Sequence, residues 1–268
     1  MNWSKTKSIF IVCFLLLDAF LIFELYARQQ DEGVENLTDG SGTNNTFRVD
    51  TTIPPTPQNV TFLRGSRVNF SNEKKNIADL TSSANNGIGQ KIQYENGGMQ
   101  LHGIFASPIS GNMTNTDLQK IILGLVYKGQ SYTYWQNDSK ARTINFVQLY
   151  NNQPVFISRR NNIQMLEFTV SQNKIVGYQQ SYFKFSKSNY VDVISAEKAI
   201  SNLGENTDLL DSERPVIKTV ELGYVNLVGD ASADPLIFIP TWHIVVQTNH
   251  GDQEYFVNAM SGNVQTLD

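Results

Sequence analysis

The sequence predicts an α+β protein: an N-terminal transmembrane helix followed by a two-lobed extracytoplasmic domain of mostly antiparallel sheet with a few short helices. Three observations lead there. Residues 9–26 form an apolar run, IFIVCFLLLDAFLIFELY. Two polar clusters, Thr114 to Asp117 and Ser195 to Lys198, each precede a short stretch of helical periodicity. Most of the remaining chain consists of alternating runs rich in Val, Ile, Tyr and Phe, joined by short polar connections that favour antiparallel neighbours.

In the apolar run, thirteen of eighteen residues are Leu, Ile, Phe or Val, and the charges are Asp18 and Glu24. The apolar residues contribute about −6 kcal/mol to insertion, against about +3 kcal/mol for a central Asp, so insertion is favoured. Lys5 and Lys7 precede the run, whereas only Arg28 follows before Asp31 and Glu32, so the positive-inside bias places residues 1–8 in the cytoplasm and the C-terminal domain outside the cell. After the run, Glu24-Leu25-Tyr26-Ala27-Arg28 offers no pair of small residues for a signal peptidase. Residues 9–27 therefore read as an uncleaved, single-pass signal anchor in the cell membrane.

Counting about 1.5 Å per residue from Ser8 puts Asp18 about 15 Å into a hydrocarbon layer about 30 Å thick. A carboxyl group there requires a partner. Ile11, Phe14, Leu15, Leu21, Ile22 and Leu25 share its helical face, and with Asp18 they form the candidate transmembrane partner contact.

Residues 28–60, with QQDEGVENLTDGSGTNNT and TTIPPTPQN, are polar and aperiodic and read as a flexible tether. The first lobe covers residues 61–188. It opens with VTFLRGSRVNF as a strand pair and a short helix over 72–80. KIQY and MQLHGIF flank Glu95-Asn96-Gly97-Gly98 as a hairpin. A capped helix follows over 117–127, stopping near Gly129, and then the strands SYTYW, RTINFVQLY, PVFI, IQMLEFTV and KIVGYQQSYFKF. The second lobe, residues 189–268, repeats this plan: a helix from Ser195 to about Gly204, strands over 216–228, 236–248 and 254–258, and a closing turn from Met260 to Asn263.

A net charge of −4 lacks the basic surplus a nucleic acid would require. The only cysteine, Cys13, sits in the apolar run, so the exterior has no thiol for a disulfide, a zinc cluster or a nucleophile. Nucleophile-elbow, zinc-protease and phosphate-loop signatures are absent, and no catalytic, cofactor or metal residue is assigned. His243 in PTWHIVVQT and His102 in MQLHGIF read as structural strand residues, and His250 as a solvated turn residue. Asp230, Asp234 and Asp252 match no calcium-loop spacing and suit turns better. Tyr132, Tyr134, Trp135, Tyr178, Tyr182, Phe183 and Phe185 suit cross-strand core pairs, with the lining of a ligand groove as the alternative.

The opening MNWSKTKSIFIVCFLLLDAFLIFEL, through Trp3, Ser4, Lys5, Lys7, Ile9 and Phe10, resembles the start of the YycI (WalI) family of low-GC Gram-positive bacteria. The tail segments PTWHIVV and YFVNAMSGNV are similar to that family and, more loosely, to PepSY domains, so the second lobe is read as PepSY-like. The resemblance implies a non-enzymatic accessory of the WalK (YycG) sensor histidine kinase, within the WalK/WalR (YycG/YycF) two-component system for cell-wall homeostasis. It also implies a YycH-like sister protein as partner, with contacts in the membrane and outside it, and an α+β exterior. The alternative from another class is an extracytoplasmic binding module that senses a cell-wall polymer or peptide through the aromatic strands.

Overall fold

The computed structural model describes residues 14–21, 47–81, 88–110, 115–206, 215–227, 234–265 and 267. The chain divides into two compact units, Met1–Gly42 and Thr43–Asp268. In the first, residues 14–21 are helical with exposed side chains. Among the described residues, no helix is long and apolar enough to cross a membrane.

The second unit is built around one sheet. Its strands are β1 (Arg48–Val49), β2 (Val60–Arg67), β3 (Gln90–Glu95), β4 (Gln100–Ser110), β5 (Tyr132–Asp138), β6 (Thr143–Tyr150), β7 (Gln153–Ile157), β8 (Leu166–Ser171), β9 (Lys174–Gln180), β10 (Phe183–Val191), β11 (Val216–Asn226), β12 (Leu236–Thr248), β13 (Gly251–Asn258) and β14 (Val264–Gln265). The main path runs β10-β2-β12-β11-β7-β6-β8-β9-β4-β3, with β5 on β6, β13 on β12, β14 on β13 and β1 on β11. Pairing is antiparallel except where β11 meets β7 and β1. With helices at Lys74–Thr81, Asn115–Leu125 and Ala196–Asn206, the fold is α+β and mostly antiparallel sheet.

Several elements follow directly from local chemistry. The β3–β4 hairpin turns at Asn96–Gly98, where Asn96, Gly97 and Gly98 have φ of 51°, 67° and 91°. Asn tolerates that left-handed region and Gly adopts it freely, which is why the turn has this composition. Ser195 caps the Ala196–Asn206 helix, its Oγ accepting from Lys198 N at 3.2 Å. Ala196, Ala199, Ile200 and Leu203 then form one apolar stripe. This stripe belongs to a core with Ile217, Trp242, Ile244 and Val246.

Two strand expectations need correction, and strand pairing also reaches into the residues read as tether and across the expected lobe boundary. VTFLRGSRVNF is one strand followed by a 3₁₀ turn at Phe70–Asn72: Asn69 Oδ1 accepts from Ser71 N at 3.0 Å, and Val68 N donates to Tyr182 O. Within the residues assigned to the tether, Arg48 and Val49 already pair with Val216 and Ile217. KIVGYQQSYFKF is two strands broken at Ser181 and Tyr182, because β9 lies between β4 and β8 while β10 pairs with β2. The sheet also runs through the lobe boundary at 188/189, since β2 pairs with β12 and β7 with β11.

Candidate functional site

Strand β12 is buried on both faces. Successive residues in a strand point to opposite sides, so Trp242 enters the core of the Ala196–Asn206 helix, its Nε1 donating to Ile194 O at 3.0 Å. His243 points the other way. Its ring packs against Phe156, with centroids 4.8 Å apart, and Phe256, stacked at 5.0 Å and 18°, and these two rings also meet each other at 5.0 Å. Glu221 is the direct cross-strand partner of His243 on β11, and on β13 Phe256 lies opposite it with Glu254 two residues away. Nδ1 is 3.0 Å from Glu221 Oε1, and Nε2 is 3.5 Å from Glu254 Oε2. At that distance Nε2 falls short of a hydrogen bond, yet Glu254 still favours the charged form of the ring.

Burial is the largest single influence on this imidazole and disfavours its charged form, but Glu221 and Glu254 together outweigh it. The pKa of His243 is accordingly raised above its ordinary 6.5. The arrangement is a buried imidazole held by two carboxylates and packed on two aromatic rings.

Glu254 links this clamp to a groove. Its Oε2 accepts from Trp135 Nε1 at 2.7 Å, while the Trp135 ring meets Phe156 edge-on. Tyr134 pairs with Phe146 and Gln136 with Asn145, so Trp135 is the extra residue of a β-bulge. Bulges re-aim side chains, and here Trp135 and Gln136, adjacent in sequence, both line the same groove of about 270 Å³. Its other polar walls include Asn145, Arg159, Gln164 and Glu167. Burial, as the main cause, raises the Glu167 carboxyl above its ordinary pKa, opposed by a hydrogen bond from Thr143. Asp138 is held by its own turn: its Oδ1 accepts from Lys140 N and Ala141 N, the latter bond being the main reason its pKa is lowered.

Of the residues assigned to the transmembrane contact, Phe14, Leu15, Asp18 and Leu21 fall in the helical residues 14–21, while Ile11, Ile22 and Leu25 lie outside the described residues. His102 Nδ1 lies 3.2 Å from Glu95 Oε1. His250 is exposed in a turn, its backbone N–H donating to Thr248 Oγ1. Asp234 Oδ1 accepts from Arg67 N at 3.3 Å, Asp252 lies in β13, and Asp230 is outside the described residues. Among the described residues, no three His, Cys, Asp or Glu side chains are grouped to hold a metal ion. Tyr132, Tyr178 and Phe183 are buried in the core, and Tyr134, Tyr182 and Phe185 pack against it. Of the seven aromatics considered as groove residues, only Trp135 lines this groove.

Sequence reasoning missed Glu221 and Glu254. A signal was available: ELGYV and EYFV each carry one carboxylate in an apolar strand, and a histidine inside PTWHIVV needs such a partner if buried.

Fold and site together define a class: an α+β sheet domain with a buried histidine held between strands by two carboxylates, and a polar groove. The chain belongs to the YycI family, whose model, described as YycI protein, matches residues 43–260. No curated protein matches the chain. Among solved structures, an uncharacterized protein from Eubacterium rectale is similar over 84% of this chain and 92% of its own, at 9% identity and a TM-score of 0.48. YycH from Bacillus subtilis is similar over 74% of this chain and 53% of its own, at 11% identity and a TM-score of 0.39. The YpeB C-terminal domain from Bacillus megaterium is similar over 76% of this chain and 100% of its own, at 10% identity and a TM-score of 0.43.

Proposed function

We propose that this chain is a non-enzymatic accessory of a WalK-like sensor histidine kinase that controls cell-wall homeostasis. It acts with a YycH-like sister protein, anchored by residues 9–27 with its N-terminus in the cytoplasm and residues 43–268 outside the cell. The observation that carries this reading is membership of the YycI family over residues 43–260. The apolar run with Lys5 and Lys7 on its N-terminal side supports the anchor and its orientation. The burial of His243 between paired carboxylates supports a structural role for the histidine best placed to serve as a base.

The proposed contact in the membrane centres on Asp18. Polar contacts between membrane helices average about 0.6 kcal/mol, a factor of about 3 in affinity. Asp18→Leu is therefore expected to weaken co-purification with the kinase and sister protein by about that factor and to leave insertion intact. Both are measured at equal membrane levels of the wild type and the variant, together with kinase-dependent transcription. Unchanged co-purification and transcription would remove Asp18 from the contact. Absence of any complex between the wild-type chain and either partner would overturn the regulatory reading itself.

A further inference from the structure

One face of the sheet carries an unbroken transverse row of hydrogen-bonding side chains. Successive register pairs connect Gln93 to His102, His102 to Gln179, Gln179 to Glu167, Glu167 to Asn145 and Asn145 to Gln136, one residue from each of β3, β4, β9, β8, β6 and β5. At about 4.8 Å per strand the row is roughly 24 Å long. None of the six residues is buried. The opposite face carries the core residues Leu101, Phe168, Tyr178 and Phe146. The row ends in the groove where the bulge adds Trp135 beside Gln136.

We infer that this row and its terminal groove bind an extended, neutral polysaccharide chain lying across the strands. Four of the six rungs are amides, each of which donates and accepts, as vicinal sugar hydroxyls do. The single carboxylate and single imidazole leave the row without the sustained charge of one sign that a polyanion or a basic peptide would require. Strand spacing sets the interval between rungs, and that interval is close to the repeat of an extended β-linked hexose chain. At the end of the row, Trp135 offers an apolar ring to a sugar's C–H face, and Glu254 fixes its indole N–H. The groove's 270 Å³ is slightly below the ~300 Å³ at which drug-sized pockets begin. That suits a chain held one unit at a time along an open face. This inference goes beyond the kinase-accessory reading and does not depend on it.

The test titrates the full-length protein, in a detergent without a sugar headgroup, with cello- and chito-oligosaccharides from dimer to hexamer, followed by calorimetry and tryptophan fluorescence. Affinity is expected to rise with chain length, by about tenfold (1.4 kcal/mol) from dimer to tetramer. Asn145→Ala and Gln179→Ala are expected to lower tetramer affinity about fivefold at unchanged melting temperature. Gln93→Ala, at the exposed far end, is expected to weaken only the hexamer, which provides a readout if a central variant unfolds. The inference is overturned if no oligosaccharide binds at millimolar concentration, if affinity is independent of length, or if Asn145→Ala and Gln179→Ala both bind as the wild type does. It is equally overturned if oligoglutamate or oligolysine binds more tightly than the tetramer, which would mark the face as a peptide site.

Discussion

Replacing Glu221 by Gln tests the clamp around His243 while preserving shape and a hydrogen-bond acceptor. In the wild type, Nδ1 of His243 is 3.0 Å from Glu221 Oε1, a contact that a charged imidazole makes strong. A hydrogen bond to a charged group contributes about 1.5–3 kcal/mol in a buried setting. The Glu221 side chain is 43% exposed, so water screens it, and Glu254, only 26% exposed, still faces the ring. Discounting for both brings the expected loss to about 1 kcal/mol. For a domain of this size that is about 2–4 °C in melting temperature. The pH dependence is more diagnostic. A histidine whose folded pKa is raised contributes its full stabilisation below its unfolded pKa of 6.5 and loses it as pH rises through the folded value. Wild-type stability should therefore decline on the alkaline side of pH 6.5, and Glu221→Gln should flatten that decline by lowering the folded pKa. Thermal melts of the full-length protein across this range, alongside a ¹³C titration of the His243 ring, measure both. A wild-type curve that is flat above pH 6.5, or a variant with the wild-type slope, would refute the clamp.

Gln180→Ala should cost about 2–4 kcal/mol, because the buried Gln180 amide accepts from Tyr127 N at 3.1 Å and donates to Tyr127 O at 2.7 Å, and both groups would be left unpaired. Chemical denaturation should report the loss, and a shift below about 1 kcal/mol would show that water replaces the amide. Gly177→Ala should be at least as damaging, since its Cβ would fall on the Gly103 carbonyl oxygen of the neighbouring strand, which is backbone and cannot rotate away. Its readout is loss of native melting cooperativity, and an unperturbed melt would mean that β4 and β9 separate without cost.

The elements legible in the sequence are those whose cause is local. Asn96-Gly97-Gly98 announces its turn through backbone freedom, Ser195 its helix through capping, and the alternation in RTINFVQLY its half-buried strand. The break in KIVGYQQSYFKF has a different origin. Nothing in that stretch resembles a turn, yet the chain leaves one ladder at Gln180 and joins another at Phe183. Distant groups satisfy the chain there: Gln148 donates to Phe183 O at 2.8 Å and accepts from Phe183 N at 2.9 Å, while the Gln180 amide is itself committed to the backbone of Tyr127. In sequence these residues look like ordinary polar positions, because their partners lie 35 and 53 residues away.

The same physics limits what can be read of the two sites. Alternation within each strand already assigns His102, Asn145 and Gln179 to the face opposite the core, since their neighbours Leu101, Ile144, Phe146 and Tyr178 are buried. What alternation cannot supply is register between strands, and a slip of one residue would turn each side chain to the other face. Register between β4 and β9 is set instead by packing. Gly103 lies opposite Tyr178, and the Tyr178 ring occupies the space a side chain at 103 would fill. Ile104 and Gly177 pair on the other face, where Gly103 O blocks a Cβ at 177. Two glycines and one tyrosine thus lock the neighbouring pair, His102 with Gln179, into alignment. A one-residue slip would drive the Tyr178 ring against a Cβ and scatter the polar row. The alignment of the row at its β4–β9 step is therefore set in part by core packing on the opposite face, and substitutions at Gly103 should misalign that step even though they never touch it.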